Sequence, residues 1–185
     1  NLASSTIFGN VNSQFSQDVS FVGDKDTHLK KPLDHEFLIP GLNTLLDNQK
    51  SDVIFLHSYA GHGPYHKFIP ADFKDKQHIF NQYSLSEIFK DYKYKERLFD
   101  DLKMYDQSIA YIDHNINTIV EKIKDLDQPF MFLYFSDHGD NVFDGTGHDS
   151  RWLDSSMLNV PFVIYFNNAA RIKYPDVWDS LRIDT

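Results

Sequence analysis

The sequence predicts an α/β layered domain with parallel strands, and three observations carry that reading. Two compact apolar runs, at residues 53–56 and 130–135, have the composition of buried strands. Between them, residues 103–126 hold the strongest helical periodicity of the chain. Each apolar run is followed at once by a histidine-bearing turn. Strand, long helix and strand in succession predict a right-handed crossover between parallel strands.

Taken in order, residues 1–32 are rich in Ser, Asn, Asp and Gly with scattered Phe and Val, which predicts short strands or loops. In residues 36–46, Phe37, Leu38, Leu42, Leu45 and Leu46 recur at helical intervals, with Pro40 near the expected helix start. Val53-Ile54-Phe55-Leu56 reads as a strand buried on both faces. Residues 65–95 are polar and aromatic, a long surface excursion with room for one short helix. Ile109, Ile112, Ile116, Ile119, Val120, Ile123 and Leu126 predict an amphipathic helix whose Ile-rich face is core, stopped by Gln128-Pro129. Phe130 to Phe135 is a second buried strand, residues 152–158 a short helix, and Pro161 to Phe166 a third apolar run.

With 185 residues, of which 41% are hydrophobic, the chain has enough material for one globular core, so a single domain over 1–185 is expected. A net charge of -9 argues against nucleic acid as partner, because that affinity comes largely from Lys and Arg displacing counterions. An anionic substrate then needs a local positive centre, which bound metal ions supply inside an acidic protein. The absence of Cys excludes a thiol nucleophile, a thiolate zinc site and any disulfide. No stretch reaches the ~20 apolar residues of a membrane span, and no signal pattern opens the chain. It begins at Asn1, as expected of a piece of something longer.

Ligands of open parallel sheets bind at the carboxyl ends of the strands. Both histidine-bearing stretches, Leu56-His57-Ser58-Tyr59-Ala60-Gly61-His62-Gly63-Pro64 and Phe135-Ser136-Asp137-His138-Gly139, stand just past such ends, so a shared rim is expected. Asp137 and His138 can both reach one metal if the backbone turns there, which Gly139 makes easy. That oxygen and nitrogen pair suits zinc and also manganese. The plain alternative is a strand-end turn in which Asp137 caps and His138 faces solvent. His148 lies in Asp144-Gly145-Thr146-Gly147-His148-Asp149, whose glycines let the chain fold back toward the strand ends. Asp140, Asp144 and Asp149 lack the full spacing of a calcium-binding hand. A functional role is expected for His62 and a structural one for His57, with His28, His35, His66, His78 and His114 at the surface.

Together these residues resemble the catalytic domain of the phosphoethanolamine transferases, a sulfatase-like branch of the alkaline phosphatase superfamily. The resemblance runs from about Leu33 to Phe166. Leu56-His57 with Gly61-His62-Gly63-Pro64 match the family's Leu-His strand end and Ser-His-Gly-Pro-like turn. Tyr105, Asp106, Ile109, Tyr111 and Asp113 match its Tyr-Asp-x-x-Ile-x-Tyr-x-Asp helix, and Ser136 to Gly139 with Gly147-His148 match its Ser-Asp-His-Gly turn and later Gly-His. The segment beginning Leu33-Asp34-His35-Glu36 is similar to its Asp-Glu-x-Leu-Leu-Pro-x-Leu helix start.

The resemblance implies an α/β/α sandwich with a mainly parallel sheet, here the carboxyl-terminal portion only. It implies one or two zinc ions, manganese being the alternative, with Asp137 and His138 holding the main metal. His62 and His148 are implied as ligands of the transferred phosphoryl group, acid/base groups or ligands of a second metal. The implied reaction is ping-pong transfer of phosphoethanolamine from a membrane phospholipid to lipid A or another glycan acceptor through a Thr nucleophile. The setting implied is the bacterial inner membrane, with this domain in the periplasm behind an N-terminal anchor.

The family's upstream metal-binding Glu and nucleophilic Thr find no match, Thr6 lacking their context, so the fragment alone is expected to be weak or inactive. Asp140 stands where the family usually has Glu, and the interval to His148 is short. A sulfatase or phosphoglycerol transferase of the same superfamily, and a non-catalytic phosphoglycan-binding domain, are the alternative readings.

Overall fold

The structure is a computed structural model that describes residues 2–3, 33–48, 53–74, 95–143 and 145–181. Thr6, His28, His78, Asp144 and most of the expected surface excursion lie outside the described residues. The chain divides into two compact units, Asn1–Asp91 with Lys103–Asn115 and Tyr92–Leu102 with Ile116–Thr185.

In the first unit, β1 (Leu2–Ala3) pairs in parallel with β2 (Phe55–Leu56), Leu2 opposite Phe55. Helix α1 (Asp34–Asn48) begins earlier than its apolar spacing predicts, so Pro40 stands inside it rather than near its start. After β2 the chain makes a turn, a 3₁₀ segment (Tyr65–Lys67) and the short helix α2 (Ala71–Lys74). Leu38, Leu42, Tyr65, Phe68, Ile69, Phe73 and Tyr111 are buried here. His66 is exposed, as expected. His35 and His114 are exposed too, but each sets its ring against an aromatic: His35 edge-on to Tyr111 at 6.3 Å, His114 against Phe73 at 5.0 Å.

Helix α3 (Lys95–Ile123) is the long helix that the periodicity anticipates, although it starts earlier and stops sooner. Its face differs from expectation. Ile109 is 43% exposed, and within the first unit the helix buries Gln107, Ser108, Tyr111 and Asn115, a stripe at three- and four-residue steps that is polar and aromatic. Ile123 is buried as expected.

The second unit shows why α3 ends where it does. The fully buried Asn167 donates its amide to the carbonyls of Ile123 (3.0 Å), the last residue of the helix, and of Leu126 (3.1 Å) and Gln128 (2.8 Å) in the segment that follows, fastening the chain as it leaves the helix. Its Oδ1 accepts from Phe130 N and from Ala170 N, both at 2.9 Å, capping helix α5 (Asn168–Lys173).

Strand β3 (Met131–Phe135) pairs with β4 (Phe162–Phe166) in antiparallel register, Met131 opposite Phe166 and Phe135 opposite Phe162. The parallel crossover expected from the sequence links residues 53–56 and 130–135, a different pair from this antiparallel one. The physical reason for the antiparallel pairing lies in the connection between β3 and β4. Among its described residues are the 3₁₀ turn Ser150–Trp152 and the short helix α4 (Ser155–Leu158), and Gly139 N donates to Met157 O at 2.8 Å. The chain is thus fastened back beside the edge from which it left, and it enters β4 from that same edge. Full burial of the strands is corrected: Met131, Leu133, Phe135 and Phe162 are exposed, as is Phe55 in β2, because a two-stranded ribbon packs one face only. Helix α6 (Pro175–Leu181) closes the described chain.

Candidate metal centre

Ser136 follows the last residue of β3, and the chain turns sharply at once. Ser136 Oγ donates to His138 O at 2.6 Å, and Asp137 Oδ1 accepts the His138 N–H at 3.1 Å. Gly139 is required by close approach: a Cβ there would lie 2.1 Å from the Ser156 carbonyl oxygen. The turn therefore presents Asp137 and His138 side by side, with His138 Nε2 at 3.8 Å from Asp137 Oδ1 and the Asp137 side chain 89% exposed.

The loop that follows closes on itself. Asn141 and Gly147 exchange backbone hydrogen bonds of 2.8 and 3.1 Å, and Gly145 and Gly147 adopt φ of 66° and 60°, a left-handed conformation for which glycine is suited. The fold-back expected from the glycines is present, and it returns His148 to His138, ring centroids 4.1 Å apart. His148 Nδ1 meets Asp140 Oδ1 at 2.9 Å, and the Asp140 side chain is only 9% exposed. Ligand atoms of His138, Asp140 and His148 all lie within 4.8 Å of one another. A cleft of about 260 Å³ opens beside them, polar at Asp137, His138, His148 and Ser150 and apolar at Leu153, Met157, Leu158 and Val160. Close by in sequence, Thr146 Oγ1 and Ser156 Oγ are buried without a hydrogen-bond partner among the described residues.

The imidazoles share one arrangement. His138 Nδ1 faces Gly139 O at 3.0 Å, and a carbonyl can only accept, so Nδ1 is the donor, and in the neutral tautomer Nε2 is the nitrogen with a lone pair to offer. His148 Nδ1 faces the Asp140 carboxylate and His62 Nδ1 faces Gly63 O, with the same consequence. A ring nitrogen held in this way is the usual outer support of a metal-ligating histidine. Two donors bound to one zinc at about 2.0–2.2 Å can be no more than about 4.4 Å apart. The Asp137 to His138 separation already meets that limit, and the 4.8 Å that bounds the His138, Asp140 and His148 group is slightly wider than it. Imidazole and carboxylate without thiolate fit zinc or manganese.

His57 and His62 belong to the first unit. His57 is half-buried, 5.1 Å from the Tyr59 ring, while His62 is exposed with its ring 6.0 Å from Phe68. Asp137, His138 and His148 belong to the second unit, which brings them together around one cleft. Asp140 is the residue that sequence reasoning passed over. Its signal is an acid two places after His138, which the sequence shows as a departure from Glu and as one of three loop acids without the spacing of a calcium-binding hand.

A family model described as Sulfatase matches residues 3–174. The chain belongs to the sulfatase family. Membership carries an α/β fold of the alkaline phosphatase type; the described residues contribute a parallel and an antiparallel strand pair to it. Among curated proteins, this sulfatase-family chain is 26% identical over 150 residues to phosphoethanolamine transferase EptA of Helicobacter pylori, a match covering 75% of this chain and 26% of that protein. It is 26% identical over 76 residues to phosphoethanolamine transferase EptC of an Escherichia coli strain, covering 38% of this chain and 13% of that protein. The match thus spans about a quarter or less of each relative's length. No solved structure gives a significant match. No helix among the described residues is long and apolar enough to cross a membrane.

Proposed function

We propose that this chain is the carboxyl-terminal part of the catalytic domain of a metal-dependent phosphoethanolamine transferase. The observation that carries the reading is the convergence of His138, His148 and Asp140 beside Asp137 at the end of β3, in a sulfatase-family chain whose matched relatives are phosphoethanolamine transferases. Asp137 and His138 hold the metal, zinc or manganese. When bound, the ion supplies positive charge that neutralises phosphoryl oxygens in an otherwise acidic protein. His148, oriented by Asp140, and His62 supply Nε2 atoms toward the phosphoryl group or its leaving oxygen. The Thr nucleophile and a further Glu ligand belong to the rest of the protein, and the whole of 1–185 is one sulfatase-like domain with them. In that protein the donor is a phospholipid, the acceptor lipid A or another glycan, and the setting is the periplasmic side of the inner membrane.

Zinc titration by calorimetry of the full-length protein tests the ligand assignment. Asp137→Ala and His138→Ala weaken binding on this reading, and parental affinity in both overturns it. Transfer from a phosphoethanolamine lipid, set beside hydrolysis of sulfate esters and transfer of phosphoglycerol, tests the reaction; activity confined to either of the latter sinks it.

A further inference from the structure

We propose that Asp34, acting through Ser58, is the positioning residue for the turn that carries His62. Asp34 opens α1 and is 5% exposed. Its Oδ2 accepts two side-chain hydrogen bonds, from Ser58 Oγ at 2.6 Å and from Asn115 Nδ2 at 2.9 Å. One carboxylate oxygen thereby ties the start of α1, the turn after β2 and the middle of α3 together, all within the first unit.

Ser58 passes the constraint on. With its proton given to Asp34, its Oγ accepts the Ala60 N–H at 2.9 Å, and His62 N donates to Tyr59 O at 3.1 Å. Between them Gly61 has φ of 90°, and a Cβ there would lie 2.9 Å from Ile112 Cδ1, so the turn is pressed against α3 where a side chain has no room. The backbone from Ser58 to His62 is defined by these contacts, and His62 is the exposed side chain at its end.

A buried carboxylate is an expensive way to join three segments. Burial raises the Asp34 pKa, and an apolar side chain of similar size would pack at lower cost. What the carboxylate adds is direction: hydrogen bonds at 2.6 and 2.9 Å fix the Ser58 hydroxyl in the orientation that captures Ala60 N. Neither Asp34 nor Ser58 is assigned contact with substrate, and the catalytic part of the inference rests on the proposed role of His62.

The test uses the full-length protein with Ser58→Ala, Ser58→Thr, Asp34→Asn and His62→Ala. Amide hydrogen exchange is followed at Ala60 and His62, and kcat and KM are measured for phosphoethanolamine transfer. Ser58→Ala should speed exchange at both amides about five- to tenfold, the size of one ordinary hydrogen bond in a local opening equilibrium. It should lower kcat more than it raises KM. Ser58→Thr, which keeps the hydroxyl, and Asp34→Asn, which keeps an acceptor oxygen, should restore both. Exchange within twofold of the parent in Ser58→Ala overturns the inference. Accelerated exchange with unaltered transfer in both Ser58→Ala and His62→Ala upholds the positioning and removes His62 from the reaction.

Discussion

The carboxylate of Asp140 receives the Nδ1 proton of His148 at 2.9 Å, across a loop whose ends are closed by the Asn141 to Gly147 backbone pair. Asp140 is nearly buried and His148 is not, so the carboxylate is the fixed member and the imidazole the oriented one. The ring it orients lies 4.1 Å from that of His138, centroid to centroid. Asp140 therefore sets the direction of the imidazole that stands beside His138.

If His148 takes the second-metal role that the resemblance allows it, Asp140→Ala should weaken zinc binding by about 10–100-fold, the usual effect of losing a group that holds a metal-ligating histidine. Competition against a chromogenic chelator in the full-length protein measures it. An affinity within twofold of the parent would show that His148 is placed without Asp140 or takes no part in binding.

The Asp34 carboxyl provides a pH signature. Burial raises its pKa above the usual 3.8, against the lowering effects of hydrogen bonds from Ser58 and Asn115 and of the nearby His35. A raised acid binds its proton more tightly folded than unfolded. Its stabilising contribution is complete below about pH 3.8 and declines as pH rises through the higher folded value. Asp34→Asn removes this dependence while an amide oxygen still accepts from Ser58 and Asn115. The stability difference, variant minus parent, should grow in favour of the variant as pH rises from about 4 to 7 in denaturant melts at fixed salt. A difference that is flat with pH would contradict the buried, ionised carboxylate.

Gly139→Ala tests close approach against mere flexibility. A Cβ at 2.1 Å from the Ser156 carbonyl oxygen cannot be accommodated by a side-chain rotation, because the obstacle is backbone. The substitution should cost about 1–3 kcal/mol in chemical denaturation, as overpacking does, and should also weaken metal binding by displacing His138. A neutral result would mean that the segment around Ser156 yields freely.

Much of this was legible in the sequence because it depends on local pattern. Period-3.6 spacing marks α3, apolar runs mark β2, β3 and β4, and Gly145 and Gly147 announce the fold-back that returns His148 to His138. The rest depends on partners far along the chain. The antiparallel β3–β4 register follows from Gly139 meeting Met157, which no periodicity encodes. The buried face of α3 centres on Tyr111 and Asn115 rather than on Ile109, because Asn115 meets Asp34 and Tyr111 meets His35 and Phe73. Asp140 looked like an ordinary loop acid until its partner His148 came within reach.

Asn167 allows a sharper test of what such a partner is worth. Its place before Asn168-Ala169-Ala170 reads as a helix N-cap, and its Oδ1 does accept from Ala170 N. Asp serves that role as well as Asn does. The amide, however, also donates to the carbonyls of Ile123, Leu126 and Gln128, and Asp has no proton to give them. If the cap were the whole contribution, Asn167→Asp would be nearly neutral and Asn167→Ala would cost about 1 kcal/mol. With the donors counted, Asn167→Asp keeps the cap but sets a buried carboxylate against three carbonyl oxygens. It should destabilise at neutral pH by at least as much as Asn167→Ala, with both costing more than about 3 kcal/mol. Urea melts of the two variants side by side decide it, since only the donor role places Asp below Ala.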